Sequence, residues 1–223
     1  MYNNPSAVAR PRESALESSQ VLRNTYALLS MTLLFSALTA AVSTYLQMGP
    51  WTYLLSVIAA MGLAIFVLPR TANSAAGLLV VFAITGLFGF ALGPLLSKYL
   101  ALANGAKIIS MAFGGTGVIF LALSAYVLTT RKDFSFLGGF LMVGLITVFV
   151  LAIANIFIGL PMLSLAISGA AILIFSGFIL FDTSRIINGG ETNYLNATVN
   201  LYINIFSVFV HLLSILGIMG KDD

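Results

Sequence analysis

The chain has no cysteine and a single histidine, His211, among its 223 residues. Thiol catalysis, disulfides and thiolate metal ligands are therefore excluded together, and a conventional structural zinc site lacks its ligands. Charge is equally scarce, with Asp, Glu, Lys and Arg at 8% of residues against 60% hydrophobic. Soluble domains carry about a quarter charged residues, so that class is excluded as well. Motifs of hydrolytic chemistry are also missing. There is no HExxH, and no Gly-x-Ser-Gly nucleophile stretch accompanies His211. The glycines of "AFGGTG" lack the Gly-Lys-Ser/Thr ending of a phosphate loop, and the last apolar run has no lysine for a retinal Schiff base. The expectation is a protein that is not an enzyme and carries no cofactor.

What is present is apolar sequence in lengths that match a bilayer. The mean hydropathy is +1.06, and runs free of Lys and Arg cover about residues 25 to 48, 51 to 68, 74 to 97, 108 to 129, 136 to 158, 162 to 181 and 199 to 219. Strands of a membrane barrel are about half that length, and an open sheet leaves backbone groups unsatisfied in hydrocarbon. An all-α polytopic membrane protein with seven transmembrane helices follows. The expected division is a polar, disordered and extended cytoplasmic tail over 1–23, a seven-helix membrane domain over 24–220 and a short non-cytoplasmic end over 221–223. The first run lies too far in and is too long for a cleaved signal peptide, so it predicts a signal anchor.

Basic residues set the orientation. Arg10, Arg12, Arg23, Arg70, Arg131, Lys132 and Arg185 fall on one side of the spans, while Lys98, Lys107 and Lys221 fall on the other. The positive-inside rule places the amino terminus in the cytoplasm and the carboxyl end outside. The basic pI near 9.3 then reflects topology and anionic lipid headgroups, and no cluster is dense enough for nucleic acid. Within the spans, Gly86, Gly89 and Gly93, then Gly114, Gly115 and Gly117, then Gly138, Gly139 and Gly144 predict close helix packing through small residues, the alternative being a local break that lines a path. Asn155 is expected to bond across helices, and Tyr99, Tyr126, Tyr194 and Tyr202 fit belt or helix-end positions.

The seventh span carries a polar stripe. At 100° per residue, Asn193, Asn196, Asn200, Asn204, Ser207, His211 and Ser214 share an arc of about 80°. Two explanations fit: interhelical hydrogen bonds, or a hydrated seam open to ions. Asp182, at the end of the sixth span, sits at the unfavourable end of a helix dipole. An interfacial salt bridge to Arg185 or Arg70 would compensate it; the alternative is a proton-responsive latch closing a polar path.

Four segments together, "FGFALGPLLSKYL", "GGTGVIFLALSAYVLTTRKDFSFLGGFL", "ILFDTSRIINGGETNYLNAT" and "LYINIFSVFVHLLSILG", resemble the Bax inhibitor-1 (transmembrane Bax inhibitor motif) family. The opening "LRNTYALLSMTL" is similar to its bacterial YccA-like branch. The resemblance runs from about Leu22 to Gly220. It implies two helix triplets around a central seventh helix. It also implies, for some members, a pH-sensitive calcium leak closed by two aspartates and assisted by an arginine. Asp182 corresponds to the first aspartate and Arg70 to the arginine, but Asn204 stands at the second. An Asp with an Asn cannot share a proton as two carboxylates do, and one carboxylate is a poor calcium site, so calcium or proton conduction is the alternative function. For the YccA-like branch the resemblance implies a bacterial inner-membrane protein that interacts with the FtsH membrane protease and restrains its attack on other membrane proteins. The tail residues Arg10, Arg12, Glu13 and Glu17 would serve as the protease handle.

Overall fold

The computed structural model describes the backbone of residues 6–220 and side chains from Leu16 onward. The side chains of Arg10, Arg12 and Glu13 and the short end 221–223 lie outside the described residues. Seven helices are long and apolar enough to cross a membrane. They are α1 (Ser6–Tyr45), α2 (Trp51–Thr71), α3 (Ala75–Leu100), α4 (Gly105–Thr130), α5 (Leu137–Ile158), α6 (Pro161–Ile187) and α7 (Tyr194–Met219). In α2 a π-helical turn, Leu63–Val67, precedes Pro69, which cannot donate to the helical ladder. Pro161 opens α6 at its first turn, where a missing N–H costs nothing, and Gly159 at φ +71° closes α5 in the left-handed region.

Residues 16–23 depart from the extended tail that the composition suggests. They are helical and continuous with the first span, because "LESSQVLR" is rich in helix formers and extends a helix already nucleated by the span.

Two groups of helices flank α7. On one side α3 packs against both α1 and α2; on the other α6 packs against both α4 and α5. The seventh helix lies between them, touching α1, α3, α4 and α6, while α2 and α5 sit on the flanks. The apolar side chains of α7 are accordingly buried, with Leu201, Val208 and Leu213 wholly inaccessible. Those of α5, such as Phe140, Val143, Ile146 and Phe149, are exposed to the hydrocarbon.

Small residues explain part of this packing. A Cβ added at Gly89 would collide with Ser36 and Thr39, and one at Gly93 with Ser43, so this pair lets α3 lie directly on α1. A Cβ added at Gly138 would lie 2.9 Å from the Phe181 ring and one at Gly144 3.1 Å from Ile174, so these glycines bring α5 onto α6. The glycines of α4, and Gly139 of α5, behave differently from expectation. A Cβ added at Gly115 would lie 3.3 Å from Leu212 of α7, whereas one at Gly114, Gly117 or Gly139 would meet nothing within 4 Å. Only one face of α4 meets the bundle, and Gly114 points away from it.

Candidate functional site

Asp182 lies in the last turns of α6 with its carboxylate turned toward α7, and is 8% exposed. Its partner is the amide of Asn204, which is 6% exposed and donates from Nδ2 to Asp182 Oδ2 at 2.7 Å. The amide compensates a carboxylate at the negative end of a helix. Among the described residues neither expected arginine forms a salt bridge to it. Arg185 donates instead to the Gly190 carbonyl at 2.9 Å, lies 3.9 Å from Glu191 and covers the Phe181 ring at 5.5 Å. Three residues beyond Asp182, it is turned about 60° around the helix and faces the connection to α7. Arg70 donates to the Phe66 carbonyl of its own helix. It belongs to α2, which packs on α3 at the flank and is not brought to α6.

Neighbours of Asp182 hold the surrounding loops. Ser184 Oγ accepts from the Phe134 N–H at 2.8 Å and from Asn188 Nδ2 at 3.2 Å, fixing the α4–α5 connection against the end of α6. In that connection Asp133 accepts from the Ser135 N–H at 2.8 Å and from its hydroxyl at 2.5 Å. Those bonds hold the Asp133 carboxyl below its ordinary range.

The polar stripe of α7 divides into parts with different tasks. Asn193 caps the helix, its Oδ1 accepting from the N–H groups of Leu195 at 2.9 Å and Asn196 at 3.2 Å. Its Nδ2 donates to the Ala72 carbonyl and to Asn73 Oδ1, both at 3.0 Å, which ties the start of α7 to the α2–α3 turn. Asn200 is exposed, Asn204 is buried on Asp182, and Ser207 is half-buried one turn further along. His211 is half-buried, with Nδ1 3.4 Å from Ser168 Oγ and its ring stacked on Phe175 at 6.3 Å between centroids. It faces a cavity of about 530 Å³ at the far end of the bundle from Asp182. Asn155 borders the same cavity and acts mainly within the α5–α6 corner. Its Nδ2 donates to Ser164 Oγ at 2.7 Å and its Oδ1 accepts from the Leu160 N–H at 3.1 Å.

Tyr202 corrects the belt assignment. It is 2% exposed, donates to the Thr85 carbonyl at 3.2 Å and hydrogen-bonds Ser36, linking α7 to α1 and α3 at the core. The available sequence signal was its position two residues before Asn204, too deep in the span for an interfacial ring. Glu17, the described member of the expected handle, borders a groove of about 280 Å³ with Ser18, Gln20 and Val21, facing Gly189, Glu191 and Thr192 of the α6–α7 connection. Among the described residues, no three His, Asp or Glu side chains are gathered in a metal-binding cluster.

Comparison with known proteins sets this geometry in a family. The family described as "Inhibitor of apoptosis-promoting Bax1" matches residues 18–221. The chain is 53% identical over 211 residues to the "Modulator of FtsH protease YccA" of Escherichia coli K12, covering 95% of each chain. It is 52% identical to an uncharacterised membrane protein of Vibrio cholerae, again over 95% of each. An uncharacterised protein of Pseudomonas aeruginosa is 46% identical over 222 residues, spanning 100% of this chain and 98% of its own length. With seven spanning helices, an enclosed α7 and a match over nearly its whole length, the chain belongs to the Bax inhibitor-1 family, close to its bacterial YccA-like members.

Proposed function

We propose that this multi-pass protein of a bacterial inner membrane interacts with the FtsH protease and modulates its attack on other membrane proteins. The observation that carries the proposal is the 53% identity, over 95% of both chains, to the E. coli modulator of that protease. The fold supplies a physical route. A pulling protease that grips the amino-terminal segment must then extract a bundle whose α7 is packed against four other helices. Such a substrate is released slowly and occupies the enzyme while it resists. Arg10, Arg12, Glu13 and Glu17 belong to the proposed handle within a tail over 1–23, ahead of the membrane domain over 24–220 and the end over 221–223. The handle requires a cytoplasmic amino terminus, in keeping with the positions of Arg70, Arg131, Lys132 and Arg185 and placing the carboxyl end outside.

In pulse-chase experiments, overproduction should lengthen the half-life of an unassembled membrane subunit in cells with FtsH and leave it unchanged in cells without. Deleting residues 2–20 should lengthen the half-life of the protein itself. Identical decay of protein and subunit in every strain would refute the proposal.

A second reading, an ion or proton leak along α7, is favoured by the buried Asp182–Asn204 bond alone. In liposomes the native protein should conduct calcium poorly, because the pair supplies a single carboxylate. Asn204→Asp should create two interacting carboxylates and a flux that varies with pH, and Asp182→Asn in that background should abolish the variation. Strong, saturable calcium flux through the native protein would refute the single-carboxylate argument and place the leak above protease modulation.

A further inference from the structure

The cavity at the end of the bundle away from Asp182 is lined from both helix groups. Tyr53 comes from α2, Lys98 and Tyr99 from α3, Asn155 from α5, Ser168 from α6 and His211 from α7. These positions lie at the start of α2 and α6, the end of α3 and α5, and the last third of α7, so the cavity opens at the membrane boundary. Its volume of about 530 Å³ is within the range of sites that hold small molecules.

The lining has one sign of charge. Lys98 supplies an ammonium group, hydroxyls and imidazole supply further donors, and among the described residues no Asp or Glu borders the space. Several of the polar groups are already committed, since Asn155 bonds Ser164 and Leu160, and His211 bonds Ser168. Lys98 and the hydroxyls of Tyr53 and Tyr99 have no hydrogen bond or ion pair among the described residues. An ammonium group and uncommitted hydroxyls on one cavity, with no carboxylate beside them among the described residues, favour an anion, and an ammonium group at the boundary of a bilayer favours phosphate chemistry.

We propose that this cavity is a binding site for a singly or doubly charged phosphate group, held by Lys98 with Tyr53 and Tyr99 as hydroxyl donors. A phospholipid headgroup and free inorganic phosphate share that chemistry. The site is separate from the Asp182–Asn204 pair and from the proposed handle.

Calorimetric titration of the purified full chain in a neutral detergent tests it. The probes are inorganic phosphate, dioctanoyl phosphatidylglycerol and, as a zwitterionic comparison, dioctanoyl phosphatidylcholine. One saturable site is expected for phosphate, for phosphatidylglycerol or for both. Lys98→Met should weaken binding by about tenfold or more, as for loss of one charge-assisted hydrogen bond. Lys98→Arg should retain most of it, with the thermal melting temperature unchanged in both variants. Phosphatidylglycerol binding well above phosphatidylcholine and displaced by phosphate identifies a headgroup site; phosphate binding without that lipid preference identifies a free anion. Absence of saturable binding by both anionic probes, or binding that Lys98→Met leaves intact, would overturn the proposal.

Discussion

Asn204→Leu is expected to destabilise the bundle by about 3 kcal/mol, the upper part of the range for leaving a buried acceptor unpaired. The residue is buried in α7, and its amide is the hydrogen-bond donor to the Asp182 carboxylate among the described residues. Leucine branches at Cγ as asparagine does and is bulkier, so the site stays filled while the carboxylate loses its partner in a low-dielectric site. Asp182→Leu alone should cost less, because an unpaired neutral amide is cheaper to bury than an unpaired carboxylate. The double variant should recover most of the loss, giving a coupling energy of about 1–3 kcal/mol in a double-mutant cycle. Reversible unfolding of the purified protein in mixed micelles reads all four forms. Additive single effects would show that the 2.7 Å contact carries no coupling.

Gly93→Leu should have a larger effect and Gly114→Leu almost none, although both residues lie in glycine-rich spans. At Gly93 even a Cβ atom runs into Ser43 of α1, so a leucine must separate two helices that pack closely along their length. Overpacking of this kind costs about 1–3 kcal/mol where side chains can adjust and more where backbone must move, which is the case here. Gly89→Leu should behave alike, since its Cβ would meet the Ser36 carbonyl. Gly114 has open space around it, and replacing a helical glycine there removes a backbone-entropy penalty of up to about 1 kcal/mol. Folded yield after detergent extraction and the unfolding midpoint both report the contrast. Equal tolerance at Gly93 and Gly114 would mean that α1 and α3 are not held by the glycine face.

These two contrasts mark the limit of what the residues alone reveal. The seven spans are legible because hydrocarbon imposes a length and forbids unpaired backbone, constraints that act along the chain and need no partner. The enclosure of α7 is legible for a related reason: a stripe running from Asn193 to Ser214 needs protein or water beside it. What the stripe does is not legible, since each polar group finds a different neighbour from a distant part of the sequence. Asn193 meets the α2–α3 turn, Asn204 meets Asp182 and His211 meets Ser168.

The arginines fail for the same reason. Charge and depth made Arg70 and Arg185 plausible partners for Asp182, but partner choice depends on rotation about the helix axis and on which helices touch. Both guanidinium groups end on backbone carbonyls. Tyrosine has two stable homes in a span, the interface and a hydroxyl-lined core, and for Tyr202 depth alone pointed to the core. Ser36 on α1 and the Thr85 carbonyl on α3 decide for the second. Glycine likewise carries no mark of whether its bare face meets a helix or lipid.

The central claim, modulation of a membrane protease, is tested most directly by reconstitution. Purified, active FtsH in liposomes with ATP and a labelled membrane substrate would be assayed with and without this protein at equimolar and fivefold levels. Substrate loss should slow as the protein is added. The variant lacking residues 2–20 should restrain it less, and this protein should disappear more slowly than the substrate. Degradation of the substrate at an unchanged rate at both levels, with this protein correctly inserted, would contradict the account.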